Sequence, residues 1–576
     1  MDSCPAHGLH DGSGSMIIGS KYHVFTAILL LLISTEGISG EMGLLNTLSS
    51  PGELRGGAFG FSMDTLDDIN EDEYAELVVA AIGESLQTEP RCAGRVYILD
   101  GSTTRALHEL SSPNPTEFGH FGLSVSSIGD ITNDGIGDIL VSTPWEYPGE
   151  SPQFSGRAYA FDGMNGSLLH EMISPTETAS GQFGLIIAGL TDVDGDDCPD
   201  IAIGAPQENP DPSYERSGAV HVFSGASGNH LRYFLSPNIQ TGGGFGFSVA
   251  PIQDINCDGT EDIVVGAPYE DGEVSSYTGR AYVISGVDDQ TLLSLLSPVE
   301  RIEELFGWSV AALGDVNDDN VPDIIVGAPE IAEGGAIRYG EGAAYVYSGA
   351  DGDHIFTLSS PNPQNEGHFG SRVKCCGDMN NDGVPDIIVC ADSENPGAGQ
   401  TSGRLYIFSG ATGDLIYTLT SPNAEAGGHF GMDAVCRGDN DGDGRYELIV
   451  GAPYENPGLS PLGCGRLYEF TQGLKLTAST DEGTILLSWT PIVPAYAYWL
   501  YGSADNSFFV PELESPYLYR LDVLSPGFDS INRVDGINDP AFNWTYQLIA
   551  VDRFGYEIES SNRVGEFDFA FTPPGW

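Results

Sequence analysis

Basic side chains are scarce in this chain: 22 Lys and Arg stand against 83 Asp and Glu, for a net charge of −61. That imbalance excludes a protein that works on nucleic-acid phosphates, which requires a basic footprint. Long apolar runs are missing beyond the first forty residues, and none approaches the roughly 20 residues of a membrane-spanning helix. The nine cysteines show no CxxC spacing. No G-x-S-x-G, H-E-x-x-H or phosphate-loop motif is present, so a catalytic signature is lacking. Turn formers, by contrast, are abundant: Gly (76) and Pro (35) make up about a fifth of the chain, and 40% of residues are hydrophobic. Short strands joined by tight turns fit this composition better than helices or disorder.

The one long apolar run, VFTAILLLLI at 24–33, follows Lys21 and precedes the small residues of Gly37-Ile38-Ser39-Gly40. This is the order of a secretory signal peptide, and residues 1–40 are read as one, with Met16 an alternative start to Met1. No cysteine stands at the expected cleavage point, which argues against a lipid anchor. Cys4 lies in the leader. The other eight (Cys92, Cys198, Cys257, Cys375, Cys376, Cys390, Cys436 and Cys464) are expected to be mostly buried, unpaired thiols, since a large core needs no disulfides.

FG dipeptides recur at Phe59, Phe121, Phe183, Phe245, Phe306, Phe369 and Phe430, spaced by 61 to 63 residues. Each of the seven copies reads in one order: an FGxSV-like segment, an Asp-rich turn, an apolar run such as DIVVGAP, a polar loop, a strand such as GRAYVISG, and a strand ending near Ser-Pro. The apolar runs at 77–81, 139–143, 201–205, 263–267, 324–328, 387–391 and 448–452 are too short for helices and rich in Val and Ile, as buried strands are. Four strands per copy, repeated radially, predict an all-β, seven-bladed β-propeller over 41–473, whose ring closure protects the sheet edges. The last copy ends at GRLYEF (465–470) without a fourth strand. LLNTLSSP (44–51) matches LIYTLTSP (415–422) and is expected to supply it from residues 44–49.

The segment FGFSVAPIQDINCDGTEDIVVGAP, residues 245–268, resembles the FG-GAP repeat of the integrin α-subunit head, and the resemblance extends over about three-quarters of the chain. It implies a seven-bladed propeller with calcium loops on one face, between the first and second strands of a blade, and a ligand-facing surface opposite. An inserted metal-dependent adhesion domain, leg domains, a membrane span and a basic cytoplasmic tail are absent from the sequence, so fold and calcium chemistry transfer more directly than partner.

Each Asp-rich turn follows D-x-[DN]-x-D-G-x-x-[DE], whose odd positions aim oxygens at one centre, as a hard cation taking six to eight oxygens requires. The seven candidate sets, for up to seven Ca2+, are Asp68, Asn70, Asp72 and Glu76; Asp130, Thr132, Asp134 and Asp138; Asp192, Asp194, Asp196 and Asp200; Asp254, Asn256, Asp258 and Asp262; Asp315, Asn317, Asp319 and Asp323; Asp378, Asn380, Asp382 and Asp386; and Asp439, Asp441, Asp443 and Glu447. Asp, Asn and Gly also favour plain turns, but a turn needs one or two of them, not four at fixed spacing in every copy. By carboxylate count the third and seventh sets should bind most tightly. The first, with Glu73 where a sharp turn prefers Gly, and the second, with Thr132 at position three, should empty first.

The loops after each GAP-like segment and the residues before each FG are expected on the opposite face. They carry Trp145, Glu146, Tyr147, Glu208, Tyr214, Tyr269, Glu270, Tyr277, Tyr339, Tyr454 and Glu455, with His120, His368 and His429 directly before FG. Such groups either stack on a glycan or grip a protein partner, or they cap strand ends and cover the neighbouring blade. Five third strands open with Gly-Arg (Arg95, Arg157, Arg280, Arg404 and Arg466), read as intrablade charge pairs in preference to an anion-binding ring.

Beyond Gly473 the period ends. TILLSWT with Trp489, AYAYWLYGS, and YQLIAVDRFGYEIESSN beginning at Tyr546 resemble a fibronectin type III sandwich over 474–576. Residues 504–541 read as an elongated loop, and Asn543 in the sequon Asn543-Trp544-Thr545 as a packing residue. Three functions are compatible with these features. The first is an exported calcium-binding adhesion or binding module for an extracellular protein or glycan. The second is a polysaccharide lyase or hydrolase using His and Tyr of the loop face, and the third a structural part of a surface assembly.

Overall fold

The computed structural model describes residues 42–472, apart from 53, 86–89, 148, 150–151, 274–275, 331–339, 397–400, 441–444 and 457–462. It also describes the backbone of seven strands between 477 and 565. The leader, Asp441, Asp443, Tyr339, Trp489 and Asn543 lie outside the described residues.

Residues 42–472 form seven four-stranded antiparallel sheets, one per repeat. In each, the first strand of the repeat lies innermost, and in blades 1 to 6 the next three follow outward in sequence order. The first strands, Phe59–Leu66, Val125–Ser127, Ile187–Leu190, Ser248–Ile252, Ser309–Ala312, Arg372–Cys376 and Ala434–Gly438, neighbour one another around the axis. The second strands, such as Asp262–Ala267, are buried along their whole length. This is why their sequences are continuous Val, Ile and Ala instead of alternating.

Ring closure is made by the two ends of the propeller sequence. Met42–Ser49 pairs antiparallel with Arg466–Gln472, from Met42 opposite Gln472 to Ser49 opposite Arg466, and forms the outer strand of blade 7. Leu48 then packs with Phe59, Val79 and Tyr97 of blade 1 and Ile449 and Leu467 of blade 7. The core is therefore a set of apolar layers between adjacent blades. One layer joins Ile252, Val264 and Val283 of blade 4 to Val310, Val326 and Tyr345 of blade 5.

The FG dipeptide is the contact that spaces the blades. All seven of its phenylalanines are fully buried. Phe306 pairs in parallel with Gly279, which precedes the third strand of the preceding blade. Gly279 has φ 87°, and a Cβ there would overlap the Phe306 carbonyl oxygen. The glycine of each Gly-Arg pair is thus required by close backbone approach.

The cysteines depart from expectation. Cys376 and Cys436, at the ends of the first strands of blades 6 and 7, form a disulfide, because the two strands run side by side there. Of the cysteines outside that disulfide, Cys390 and Cys464 are buried, while Cys257 and Cys375 are exposed. The C-terminal segment also differs from its reading: Leu518–Leu524 and Ser530–Arg533, inside the expected loop, are strands. The alternation in LYRLDVL is the signal for the first of them. These strands belong to a three-stranded sheet, Thr477–Asp481, Thr484–Ser488 and Ser530–Arg533, and a four-stranded one ordered Leu518–Leu524, Ala497–Ser503, Thr545–Val551 and Glu557–Gly565.

Candidate functional site

The seven acidic loops all join first to second strands and lie at one end of the blades. Six of them share one hydrogen-bonding scheme dictated by the residue spacing. The position-one carboxylate accepts two backbone N–H groups from the turn it begins: Asp68 accepts from Asp72 at 3.1 Å and Glu73 at 2.7 Å, and Asp130, Asp192, Asp254, Asp315 and Asp378 repeat this. The position-five carboxylate accepts the N–H two residues on, as Asp72 does from Tyr74 at 3.0 Å.

The position-nine residues, Glu76, Asp138, Asp200, Asp262, Asp323, Asp386 and Glu447, begin or adjoin the second strands and are buried. One oxygen accepts the N–H of loop position two, as Asp200 does from Val193 at 2.9 Å. The other, in blades 2 to 6, accepts a glycine N–H from the turn after the third strand, for example Gly225 at 3.1 Å in blade 3. Serines of that turn, which the sequence reading did not single out, donate to position five: Ser102 to Asp72 at 2.7 Å, and Ser285, Ser348 and Ser409 to Asp258, Asp319 and Asp382 at 3.0 to 3.1 Å. Their signal was visible in the recurring Ser-Gly after the third strand.

Position three is more variable. Thr132 turns its hydroxyl onto Asp130 at 3.2 Å, and the Asn256 and Asn380 amides each donate to the position-five Asp at 2.8 Å. Asn70 instead donates to Asp100 at 3.2 Å, and Asn317 to Asp323 at 3.4 Å.

Electrostatics divide these carboxyls in two. For Asp192, burial raises the pKa, but the N–H groups of Asp197, Gly195, Asp196 and Asp194 outweigh it and hold the group below its usual value. Burial pushes Asp200 up to about 6, and Asp194 and Asp196 add to the rise; burial with Asp68 and Asp72 pushes Glu76 up to about 7. Among the described residues three carboxylates converge in two loops: oxygens of Asp68, Asp72 and Glu76, and of Asp192, Asp194 and Asp200, lie within 4.8 Å of one another. Glu76 Oε2 is buried there without a hydrogen-bond partner. An all-oxygen, multiply anionic set with an unpartnered acceptor fits a hard divalent cation.

Most of the carboxylates expected on the opposite face are not on the surface. Glu146, Glu208, Glu270 and Glu455 are fully buried, as are Glu84 and Glu394. Each accepts a hydrogen bond from its blade's third strand, Tyr282 to Glu270 at 2.5 Å and Tyr406 to Glu394 at 2.6 Å for example, because the loop after the second strand folds back over the blade. In blade 3 the tyrosine is replaced by His221, 2.9 Å from Glu208 and 3.1 Å from His230. Three of the Gly-Arg arginines likewise face carboxylates of their own repeat: Arg95 pairs with Glu109, Arg157 with Glu177 at 2.8 Å, and Arg404 lies 3.7 Å from Glu394. Arg280 donates to the Asp271 carbonyl at 2.9 Å, and Arg466 to Ser49 on the closing strand.

The remaining expected residues divide among separate neighbourhoods. His120 meets Trp145 edge to face at 5.3 Å, Tyr147 meets Phe154 at 5.3 Å, and Tyr269 meets Phe247 at 5.8 Å. His429 contacts Tyr454 and lies 3.0 Å from Asp392, while His368 lies 3.3 Å from Glu330. Tyr214 is half-buried in the loop after the second strand of blade 3. The sequence reading overlooked the residue directly after each FG. Phe61, Leu123, Leu185, Phe247, Trp308 and Met432 converge on the axis with Ser371 in the seventh place. They form an apolar mouth of about 420 Å³ at the end opposite the acidic loops, walled on one side by Glu330, His368, Arg372 and Asp392. Phe247 and Trp308 are 4.4 Å apart.

Seven radial sheets, acidic loops at one end and an apolar axial mouth at the other define a seven-bladed β-propeller. The FG-GAP repeat family model matches residues 183–223, 245–284 and 306–347. Among known proteins, the chain is similar to Integrin alpha-5 of Xenopus laevis, 31% identical over 221 residues that make up 36% of this chain and 20% of that protein. It is also similar to Integrin alpha-V of Gallus gallus, 30% identical over 216 residues (36% and 20%), and to Integrin alpha-6 of Homo sapiens, 36% identical over 170 residues (29% and 14%). The chain spans about a fifth or less of the length of these relatives. No helix among the described residues is long and apolar enough to cross a membrane.

Proposed function

We propose that this protein is an exported binding module in which calcium locks the acidic loops at one end of the propeller and the axial mouth at the other end receives a protein partner. The observation that carries the reading is the division of labour between the two ends: carboxylates held by backbone amides at one, and six apolar side chains gathered around an open axis at the other. An apolar centre with a charged rim is the anatomy of a protein interface. The similarity to integrin α chains agrees with adhesion, and the apolar run at 24–33 supports export. The strand division of residues 477–565 into three and four supports a fibronectin type III-like sandwich.

In the loops, Asp68, Asp72 and Glu76, or Asp192, Asp194 and Asp200, would hold the ion, and the sets of blades 2, 4, 5 and 6 would do so with fewer convergent groups. Bound calcium supplies positive charge that removes the mutual repulsion of these carboxylates. The chain's own contribution is orientation: backbone N–H groups fix each carboxylate before any ion arrives, so little ordering remains to be done on binding.

Metal counting and thermal unfolding with and without a chelator test the first half. Several ions per chain and a calcium-dependent rise in melting temperature are expected, and neither appearing would overturn it. For the second half, the calcium-loaded full chain is screened against extracellular matrix proteins alongside Trp308→Ser. A bound protein released by that variant supports the mouth as the interface, and equal binding by the variant removes it from that role.

A further inference from the structure

The seven repeats act as internal controls for one another, and blade 2 departs from the rest. Three residues before each FG phenylalanine the backbone is left-handed in every blade, and that position holds Gly56, Ser180, Gly242, Glu303, Glu366 and Gly427 in six of them. In blade 2 it holds Phe118, at φ 60°. A bulky side chain there costs about 1–2 kcal/mol, and 41% of Phe118 is left exposed. Two residues before the third strand's glycine, blade 2 carries Phe154, also left-handed at φ 58°; only Tyr277 of blade 4 is aromatic among its equivalents. Strained backbone carrying two aromatic side chains, Phe118 exposed and Phe154 half-buried, points to use of the surface.

Phe118, His120, Trp145 and Phe154 line a cleft of about 430 Å³ with Ser180 and Gln182 of blade 3. This is within the size range of small-molecule sites and too small for a folded partner. Arg91 lies 5.5 Å from the Phe118 ring centroid. His120 Nδ1 is buried and has no hydrogen-bond partner, and burial holds this histidine below its usual pKa, so the ring is neutral at pH 7. Among the described residues the lining thus combines aromatic surface with a hydroxyl and an amide, and contains no carboxylate, lysine or arginine.

We propose that this cleft between blades 2 and 3 binds a sugar ring of a neutral saccharide, its C–H face against the aromatic side chains and its hydroxyls toward Ser180 and Gln182 at the rim. Aromatic rings with an amphipathic ligand give this division naturally. The −61 charge of the whole chain disfavours acidic glycans.

The test uses the calcium-loaded full chain, titrated by calorimetry with neutral cello-, manno- and chito-oligosaccharides, with oligogalacturonate, and with an aromatic-rich peptide. Phe118→Ser installs the residue that blade 3 carries at this position, and Phe154→Gly the one found in blades 5 and 7, so both variants should keep or raise the melting temperature. One neutral series is expected to bind, and each variant to weaken it by about tenfold or more. The inference is overturned if no neutral saccharide binds at millimolar concentration, if oligogalacturonate or the peptide alone binds, or if both variants bind as well as the parent. Trp308→Ser, in the axial mouth, should leave saccharide binding intact, so loss of the protein partner and loss of the saccharide are separable results.

Discussion

At the residue scale, the loops show how a single side chain sets local stability. Loop position six is left-handed in six blades; it is filled by Gly135, Gly259 and Gly383 without cost and by Glu73 at φ 75° with strain. Glu73→Gly should therefore stabilise the fold by about 0.5–1 kcal/mol, the relief of a left-handed side chain less the added entropy of a glycine. Thermal unfolding in chelator checks this without interference from ions. The first loop, ranked low for this residue, is also one of two in which three carboxylates converge. Its tightness is accordingly a balance between backbone strain and ligand convergence that spacing alone did not expose.

A second residue-scale prediction concerns pH. Burial raises the Glu146 and Glu270 carboxyls from 4.5 to about 7. The folded state therefore holds these protons more tightly than the unfolded state. The stability they contribute is complete below pH 4.5 and is lost as pH rises to 7. Between pH 5 and 7 in chelator, Glu270→Gln should flatten the fall of melting temperature with pH, because the amide keeps an acceptor for Tyr282 and cannot ionise. An unchanged slope would show that Glu270 is ionised throughout.

At the scale of the element, blade 5 shows that the buried acid belongs to the blade and not to one sequence position. Six blades draw it from the loop after the second strand and place Gly two residues before the FG phenylalanine; a Cβ at Gly243 or Gly428 would press on the acid, 3.0 Å from Glu270 Cγ and 2.7 Å from Glu455 Cγ. Blade 5 has Glu304 in the glycine's place. Ser297 and Tyr345 donate to Glu304 at 2.7 and 2.6 Å. Glu304→Gly should cost about 1–3 kcal/mol by stranding two buried donors. Denaturant unfolding of this variant beside the parent would reveal the loss.

At the scale of the whole molecule, the ring is held where its ends meet. Arg437 of blade 7 donates to the Ala75 and Gly101 carbonyls of blade 1 at 2.8 and 3.1 Å, and the Ala75 N–H donates to Asn440 at 3.0 Å. The Cys376–Cys436 disulfide closes a separation of 60 residues between blades 6 and 7. On loop-closure grounds it stabilises by up to about 4 kcal/mol, so Cys436→Ser should lower the melting temperature without changing the number of bound ions. Each loop that calcium fills should add about 1.4 kcal/mol at a tenfold excess over its Kd, and stepwise titration followed by calorimetry would measure this. Removal of Met42–Ser49 should expose the edge of Arg466–Gln472 and lead to self-association, visible by light scattering.

Much of this architecture was legible in the order of residues because each repeat answers local demands. The buried second strands read as unbroken Val and Ile, the FG dipeptide as the marker of the repeat, and the acidic loops as turns with oxygens at odd positions. Contacts made across the ring were not legible in this way. The convergence of Phe61, Phe247 and Trp308 at the axis, the burial of Glu146 and Glu270 beneath their own loops, and the meeting of Cys376 with Cys436 depend on how seven separate sheets are arranged in space. Side chains some 60 residues apart become neighbours only when the circle closes, and pattern within a repeat carries no information about which of them will face water, axis or one another.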